Sequence, residues 1–392
     1  MTRYRGRLPF AVAGALAASL LAMPASSAAG AHPADSARTL LFVPSFSSNV
    51  VTVFDARTDK RVASIGIDAN GACCAYATPD QRKVFIVDGL SPFATRIDVN
   101  TLKVDHVTRL DGTWGDRGAP VQRDGKLFWL DEIPQGHVQG INVKTGQVVH
   151  TYPAIGNTFS VSHNGRWLFE ANTAKNIGAT ASLPGALVVR SAQTGKVVGS
   201  AKLPLAIGIG QLPIGVFVTP DDRKLYIESD DPVAPSLLYV LDIRHPAHPR
   251  FVKTITVGAT ALVPAFDPSG RQLWVPNAGS GTISVVSTRT DRVVRTIDVG
   301  PFVSNIAFDG RTVFVGESDI PPNSVTSLAL TTGGVIVGAA ITPGSGYTKT
   351  RPLIDLPGSV VQYDAHTYQP LHKPAMTLPS VSFVMEVVHT RP

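Results

Sequence analysis

The sequence predicts an all-β protein, a seven-bladed β-propeller of four-stranded antiparallel blades, and three observations lead to this prediction. A phrase that ends in a turn threonine recurs along the chain. A second phrase of strand, polar turn and strand alternates with it. Together they recur every ~40 to 50 residues, and four short strands at that period are typical of a propeller blade. A helical solenoid would instead show an apolar period of about 3.6 residues, which is not found.

The first phrase is an apolar strand followed by a tight turn. It ends in Asp55-Ala56-Arg57-Thr58 near the start of the chain and in Ser287-Thr288-Arg289-Thr290 much later. The turn threonines are Thr58, Thr101, Thr145, Thr194, Thr290 and Thr367. Short β-branched runs bounded by such polar turns indicate the two outer strands of each blade.

The second phrase supplies the two inner strands. Its turns are Pro79-Asp80, Asp124-Gly125, Asn164-Gly165, Pro220-Asp221, Ser269-Gly270 and Asp309-Gly310. Each turn is followed by an apolar strand with an aromatic residue, such as Phe85, Phe169 or Trp274. We expect these aromatic side chains to pack between neighbouring blades, because strand residues of one parity face one neighbour.

The two ends of the chain predict how the ring closes. The first blade begins at Leu40 with its second strand, and the chain ends in an unpartnered apolar run, 380–389. Placing that run as the inner strand of the first blade removes a free sheet edge. Residues 39–392 are therefore the predicted propeller, after a tail at 32–38. An insertion at about 319–358 is either a hairpin on the seventh blade or that blade's outer pair followed by a degenerate eighth blade.

Residues 1–31 have the pattern of an export signal. Arg3, Arg5 and Arg7 precede a short apolar run, and small residues around Ala29 offer a cleavage site. A membrane anchor is the alternative, but the run is short for a span of ~20 residues, and no later segment is apolar enough to cross. The sequence predicts a periplasmic or secreted monomer with no membrane span after signal removal.

DNA binding is a third, weaker hypothesis, and the charge of the chain does not indicate it. The formal net charge is +6, and Arg3, Arg5 and Arg7 supply three of those charges. The exported part is thus only modestly basic and contains no run of Lys or Arg. A protein, peptide or glycan is the expected partner, and nucleic acid is not indicated.

The phrases resemble the YVTN-type propeller repeat. Trp274–Asn277 and Phe42–Ser45 stand where the residues that name the repeat occur. The resemblance covers Thr39 to the C-terminus and implies an exported propeller without implying an activity. Ser191 and Ser287 replace the usual turn aspartate, which affects turns and not the fold.

Propeller topology places the candidate site residues. The connections from an outer strand to the next inner strand lie on one face with the second-to-third strand connections, and this face is the usual ligand mouth. We therefore expect the channel mouth to carry Cys73, Cys74, Trp114, Asp116, Arg117, Asn157, Asn172, Asn277 and Glu317. Asp116 with Arg117 is either part of a charged-ligand site or a loop ion pair.

Cys73 and Cys74 are the only cysteines of the chain, and they are adjacent. Export to an oxidising compartment favours a disulfide between them. Adjacent residues of a regular strand point to opposite faces, so the bond needs a twisted local backbone, and strained disulfides are easier to reduce. Such a pair would shape the mouth locally or do redox work. Two reduced thiols are the alternative.

The remaining chemistry is sparse. No cofactor or metal site is identified, although the mouth acids Glu132, Asp230, Asp231 and Glu317 offer the oxygen ligands that Ca²⁺ takes. The sequence predicts a binding module that presents a ligand or partner mouth. The alternative is a propeller enzyme, a lactonase-like hydrolase or a redox enzyme, that uses the mouth near the cysteines.

Overall fold

The structure of the chain is a computed structural model. It describes residues 37–68, 71–89, 91–111, 121–132, 136–156, 158–172, 185–204, 212–230, 235–300, 302–318, 325–330, 336–341, 357–380 and 382–390. These residues lie in one compact unit, Ala37–Arg391. They contain no helix, and hence none long and apolar enough to cross a membrane. The proposed signal segment lies outside them.

Seven antiparallel sheets form the blades of a propeller, which confirms the predicted fold class. The strands of blades 1 to 4, from inside to outside, are β29 (Glu386–His389), β1 (Thr39–Ser45), β2 (Val50–Asp55) and β3 (Lys60–Gly66); β4 (Ala72–Ala77), β5 (Lys83–Asp88), β6 (Phe93–Asp98) and β7 (Lys103–Arg109); β8 (Leu127–Glu132), β9 (His137–Asn142) and β10 (Val148–Pro153); and β11 (Thr158–Val161), β12 (Trp167–Asn172), β13 (Ala186–Ser191) and β14 (Val197–Lys202). In blade 3 the innermost position is held by Val121, which bridges Phe128.

The other three blades follow the same order. Their strands are β15 (Leu212–Val218), β16 (Lys224–Asp230), β17 (Pro235–Asp242) and β18 (Arg250–Ala259); β19 (Ala265–Phe266), β20 (Gln272–Asn277), β21 (Thr282–Ser287) and β22 (Arg292–Asp298); and β23 (Phe302–Asp309), β24 (Thr312–Ser318), β27 (Gly358–Asp364) and β28 (Met376–Leu378). A separate hairpin consists of β25 (Val325–Leu330) and β26 (Ile336–Ile341).

The C-terminal strand closes the ring, as the sequence predicts. β29 pairs antiparallel with β1, with Leu40 opposite Val388. The structure also determines which strands form blade 7. β24 pairs directly with β27, and the β25–β26 hairpin lies in the connection between them. The insertion on the seventh blade is therefore the correct alternative, and there is no eighth blade in the described part of the chain.

Turn chemistry explains why the first phrase recurs. The Asp55 carboxylate accepts hydrogen bonds from the backbone N–H of Arg57 and Thr58 and from the Thr58 hydroxyl, at 3.1, 3.0 and 3.1 Å. Asp98 caps the turn at Thr101 in the same way. A carboxylate or amide at this position replaces the turn's missing backbone partners, which is an Asx-turn.

The aromatic residues of the second strands form the interior between blades, as predicted. They occupy one ladder position in all seven blades and are at most 1% exposed: Phe42, Phe85, Trp129, Phe169, Tyr226, Trp274 and Phe314. Burying each such side chain contributes about 1.5 to 3 kcal/mol, so this layer is a main source of blade-to-blade cohesion.

Candidate functional site

A ring of polar residues marks the mouth end of the second strands. In every blade, the turn-capping residue at the end of the third strand pairs with a residue of the second strand. The residue five positions after that partner, on the second strand, is polar. The ring comprises Ser45, Asp88, Glu132, Asn172, Ser229, Asn277 and Glu317. Strand parity directs the described side chains of the ring, those of Ser45, Asp88, Ser229, Asn277 and Glu317, toward the preceding blade. These side chains therefore lie at the blade boundaries around the predicted mouth.

Apart from the two cysteines, the predicted site residues divide between this ring and segments that are not described. Asn172 ends β12 opposite Ala186, and Glu317 lies near the end of β24. Burial of the phenol, with the negative charge of Glu317 as a smaller cause, raises the pKa of Tyr363 to about 12. Glu317 is itself largely buried. Trp114, Asp116, Arg117 and Asn157 lie outside the described residues.

Asn277 serves the packing of two blades. It is fully buried, and its amide nitrogen donates to the hydroxyls of Thr282 and Ser284, both at 3.0 Å. The side chain lies over Gly258 of blade 5, where an added Cβ would come within 2.6 Å of the amide carbon. Glycine is therefore required at 258 by this close approach. Ligand binding by Asn277 stays a prediction.

Asp88 is a member of the ring whose carboxyl pKa is strongly shifted. Its side chain is 1% exposed, and neither carboxylate oxygen has a hydrogen-bond partner among the described residues. Burial raises its pKa to about 8. Sequence analysis did not single out Asp88, although alignment of the second strands on their turn-capping residues would have shown it beside Asn277 and Glu317.

Cys73 and Cys74 are joined by a disulfide at the start of β4, the inner strand of blade 2. The structure shows the pair near the start of an inner strand, and its place in a ligand mouth stays a prediction. Both side chains are buried, at 1% and 0% exposed, in the apolar cluster that also holds Phe46, Phe302 and Phe383. The pair therefore lies inside the packed interior of the ring, and its role in ligand binding stays a prediction.

The cysteine pair also adjoins the closure of the ring. The Val384 N–H donates to the Cys73 carbonyl at 3.3 Å, and the Ala75 N–H donates to the Val384 carbonyl at 3.1 Å. The inner strand of blade 2 is thereby bonded to the segment that leads into β29. This contact couples the disulfide to the strand that fixes the C-terminus.

Burial predicts that the disulfide is protected in the folded protein. Attack by an external thiolate needs access to a sulfur atom. Reduction with dithiothreitol and alkylation with iodoacetamide should be at least about a hundredfold slower for the native protein than in urea, because labelling requires opening of the fold. Mass spectrometry of Cys73 and Cys74 measures this difference. Rapid labelling without unfolding would contradict it.

The inner strands also line a cavity of about 420 Å³ along the axis of the ring. Its wall is mainly apolar and includes the rings of Phe217, Phe266 and Phe308. The turn residues His163 and Pro268 also line it, so the cavity lies toward the face opposite the predicted mouth. A concave apolar cavity with few polar groups is the usual form of a ligand site.

Glu386 is the only carboxyl group among the described residues that line this cavity. Glu386 is half-buried by its accessible surface and lines the cavity on the inner strand of blade 1. Burial raises its pKa to about 8, against an opposing hydrogen bond from the Ala77 backbone N–H. A pKa near 8 favours the protonated carboxyl at neutral pH, and a protonated carboxyl can donate a hydrogen bond to a ligand. Sequence analysis missed it, although a single Glu within the apolar run 382–389 was a visible signal.

His163 stands at the turn end of the cavity in a fixed orientation. Its Nδ1 lies 3.0 Å from an Asp222 carboxylate oxygen, and the backbone N–H groups of His163 and Asn164 donate to the same carboxylate at 2.7 and 3.1 Å. Burial disfavours ionisation of Asp222, but these hydrogen bonds outweigh burial and lower its pKa. The channel thus has a polar end held by a histidine–carboxylate pair.

The described residues contain no group of three or more His, Cys, Asp or Glu side chains that could hold a metal ion. Of the acids considered for Ca²⁺, Asp231 lies outside the described residues, and the side chains of Glu132 and Asp230 are not described.

Comparison with known proteins agrees on the fold. No family model matches the chain, so the resemblance to the YVTN-type repeat stays a prediction. No curated protein matches it either. Among solved structures, hydrazine synthase from Kuenenia stuttgartiensis has a TM-score of 0.52 at 16% identity, covering 64% of this chain and 75% of that one. The dihydro-heme d1 dehydrogenase NirN, in complex with DHE, has a TM-score of 0.54 at 14% identity, covering 88% of this chain and 74% of that one. Both likenesses show the propeller fold and nothing finer.

Proposed function

We propose that this protein is an exported binding module that takes a mainly apolar ligand into its central channel. The observation that carries the proposal is the cavity of about 420 Å³, walled by inner strands, with Glu386 as the one carboxyl group among its described lining residues. A volume of this size suits a small molecule or a short peptide segment. The protonated Glu386 would donate a hydrogen bond to an acceptor on the ligand.

The chemistry of the channel favours an apolar small molecule or peptide segment over a glycan. Sugars need many polar partners, whereas this wall is formed largely by Val, Ile, Ala and Phe side chains. Export to a periplasm or the cell exterior is part of the proposal. It is supported by the basic and apolar pattern of residues 1–31, and the Cys73–Cys74 disulfide is compatible with it.

The proposal is tested with Nile red, a neutral apolar dye. The purified protein should bind it saturably, with a rise in fluorescence. Ala307 lines the cavity, and Ala307→Trp should fill it and weaken binding at least about tenfold. The matched control is Val149→Trp, on an outer strand where the side chain is 49% exposed, and it should bind as the unaltered protein does.

Two outcomes would contradict channel binding. One is equal affinity of Ala307→Trp and the unaltered protein, with both folded by circular dichroism. The other is equal loss in both tryptophan variants. Glu386→Gln provides a second variant with little change of volume, and it should keep the affinity for Nile red within about threefold, because the dye contact is mainly apolar.

A further inference from the structure

One face of the propeller has an unusual charge distribution. The turns between first and second strands and those between third and fourth strands lie on the same face, here called the turn face. It comprises residues 55–61, 78–83, 98–103, 123–127, 142–147, 162–167, 191–196, 219–224, 242–250, 267–272, 287–292, 309–312 and 364–369. These turns are all described, and they contain nineteen Lys and Arg residues, twelve Asp residues and no Glu.

Exposure separates the two signs of charge on this face. Every Lys and Arg of the turn face is exposed except Lys83 and Lys224, which are partly buried. Of the twelve aspartates, only Asp80, Asp124 and Asp221 are exposed. The surface that a partner meets is therefore far more basic than the count of residues suggests.

The aspartates are drawn inward because they build the turns. Three of them accept hydrogen bonds from backbone N–H groups and so cap their own turns: Asp55, Asp98 and Asp364. Asp291 accepts from the Tyr226 hydroxyl at 2.6 Å, and Asp222 is held by His163. A carboxylate that accepts hydrogen bonds inside a turn has little of its charge facing solvent, whereas long Lys and Arg side chains extend outward.

Several of the exposed cations have no ion pair among the described residues. Arg82, Arg123 and Lys144 line a groove of about 680 Å³ between blades 2 and 3. Arg223 and Arg289 line a second groove, of about 690 Å³, between blades 5 and 6. The unpaired charges thus lie at well separated positions around the ring.

The rest of the described chain does not share this excess of positive charge. Outside the turn face its exposed cations are Arg109, Lys202, Arg295 and Lys373, and its exposed acids with described side chains are Asp68, Asp105, Asp111 and Asp298. The described part of the molecule is therefore electrically polarised between a basic turn face and a near-neutral remainder. An anionic surface that approaches it is attracted to the turn face more than to the remainder, which favours one orientation.

We propose that the turn face binds the surface of an anionic phospholipid bilayer. Its cations are spread over the whole disc, so only a planar partner contacts many of them at once, whereas a linear nucleic acid contacts a strip. Each Lys or Arg near such a surface contributes about 1 kcal/mol, within about a Debye length. The large apolar side chains that are exposed among the described residues all lie outside these turns, so the contact is electrostatic and peripheral.

The test uses sedimentation with vesicles. The purified protein should sediment with vesicles of phosphatidylcholine and phosphatidylglycerol in equal parts, and not with phosphatidylcholine alone. Raised salt should release it. Arg82→Glu combined with Arg123→Glu should weaken binding at least about twentyfold, at about fivefold for each positive charge removed.

The control is Arg109→Glu combined with Lys202→Glu. Both residues are exposed and lie at the mouth ends of outer strands β7 and β14, and the net charge of this variant equals that of the first. It should bind nearly as the unaltered protein does. The proposal is overturned if the two variants lose binding equally, or if the unaltered protein fails to prefer the anionic vesicles. It is also overturned if duplex DNA binds at the same salt and displaces the vesicles, because nucleic acid would then be the partner.

Discussion

Asp88→Asn is expected to raise the free energy of unfolding by about 3 to 5 kcal/mol at about pH 8, and by much less at about pH 4. Asp88 is 1% exposed without a partner among the described residues, and burial raises its pKa from the ordinary 3.8 to about 8. Below about pH 3.8, the ordinary pKa, the Asp88 carboxyl is neutral in the folded and the unfolded state. Between this pH and the folded-state pKa of about 8, the carboxyl is ionised in the unfolded chain and protonated in the folded protein, so stability is lost as pH rises. Asparagine is neutral throughout and removes this loss.

Urea denaturation between about pH 4 and about pH 8 measures the free energy of unfolding of both proteins. The effect is the difference between the slopes of that free energy against pH. The control is Asp124→Asn, because the Asp124 side chain is 49% exposed and on a turn. That variant should keep the slope of the unaltered protein. The same slope in Asp88→Asn would show that the carboxyl of Asp88 ionises freely in the folded state.

Glu170→Leu is expected to cost about 3 to 5 kcal/mol of stability, because it leaves a buried guanidinium without its counter-charge. The Arg190 Nε lies 2.8 Å from a Glu170 oxygen, with side chains 5% and 1% exposed. The other Glu170 oxygen accepts from the backbone N–H of Ile155 and Gly156 at 2.6 and 3.1 Å, and the Arg190 Nη2 donates to the Pro153 carbonyl at 2.6 Å. The pair thus fixes the connection from blade 3 to blade 4.

Removal of the opposite partner should be less damaging. In Arg190→Leu the remaining carboxyl can take up a proton, since burial raises the pKa of Glu170, whereas a guanidinium cannot lose one. The double variant Glu170→Leu with Arg190→Leu should recover part of the loss of Glu170→Leu. Lys126→Ala, which breaks an exposed ion pair, is the control and should change stability by less than about 0.5 kcal/mol. A simple sum of the two single losses in the double variant would show that Glu170 and Arg190 are not coupled.

Much of the fold could be predicted from the sequence because its signals are local. The Asp55–Thr58 turn is built by hydrogen bonds within four residues, and its copies therefore recur as visible phrases. The closure by β29 followed from an unpartnered strand at each end of the chain. The extent of blade 7 did not follow, because the sequence of the β25–β26 hairpin fits an outer pair as well as an insertion.

The site could be predicted only in part. The placement of Cys73 and Cys74 at the start of an inner strand needed only the order of strands. Their burial against Phe46 and Phe383 joins residues more than three hundred positions apart and is invisible to a local pattern. The exposure of the cations and the burial of most aspartates on the turn face depend on the three-dimensional structure of the turns, and they likewise do not follow from a local pattern.

The sequence by itself determined the strands, the turns, the number of phrases and the partner of the last strand, since each depends on alternation and turn chemistry over a few residues. The tertiary structure decided which carboxyl groups lose water. The pKa values of Asp88 and Glu386 are raised to about 8. Asp124, which like Asp88 precedes a glycine, is instead exposed. The physical reason is that desolvation depends on what other blades place around a group, and ring closure brings those blades together.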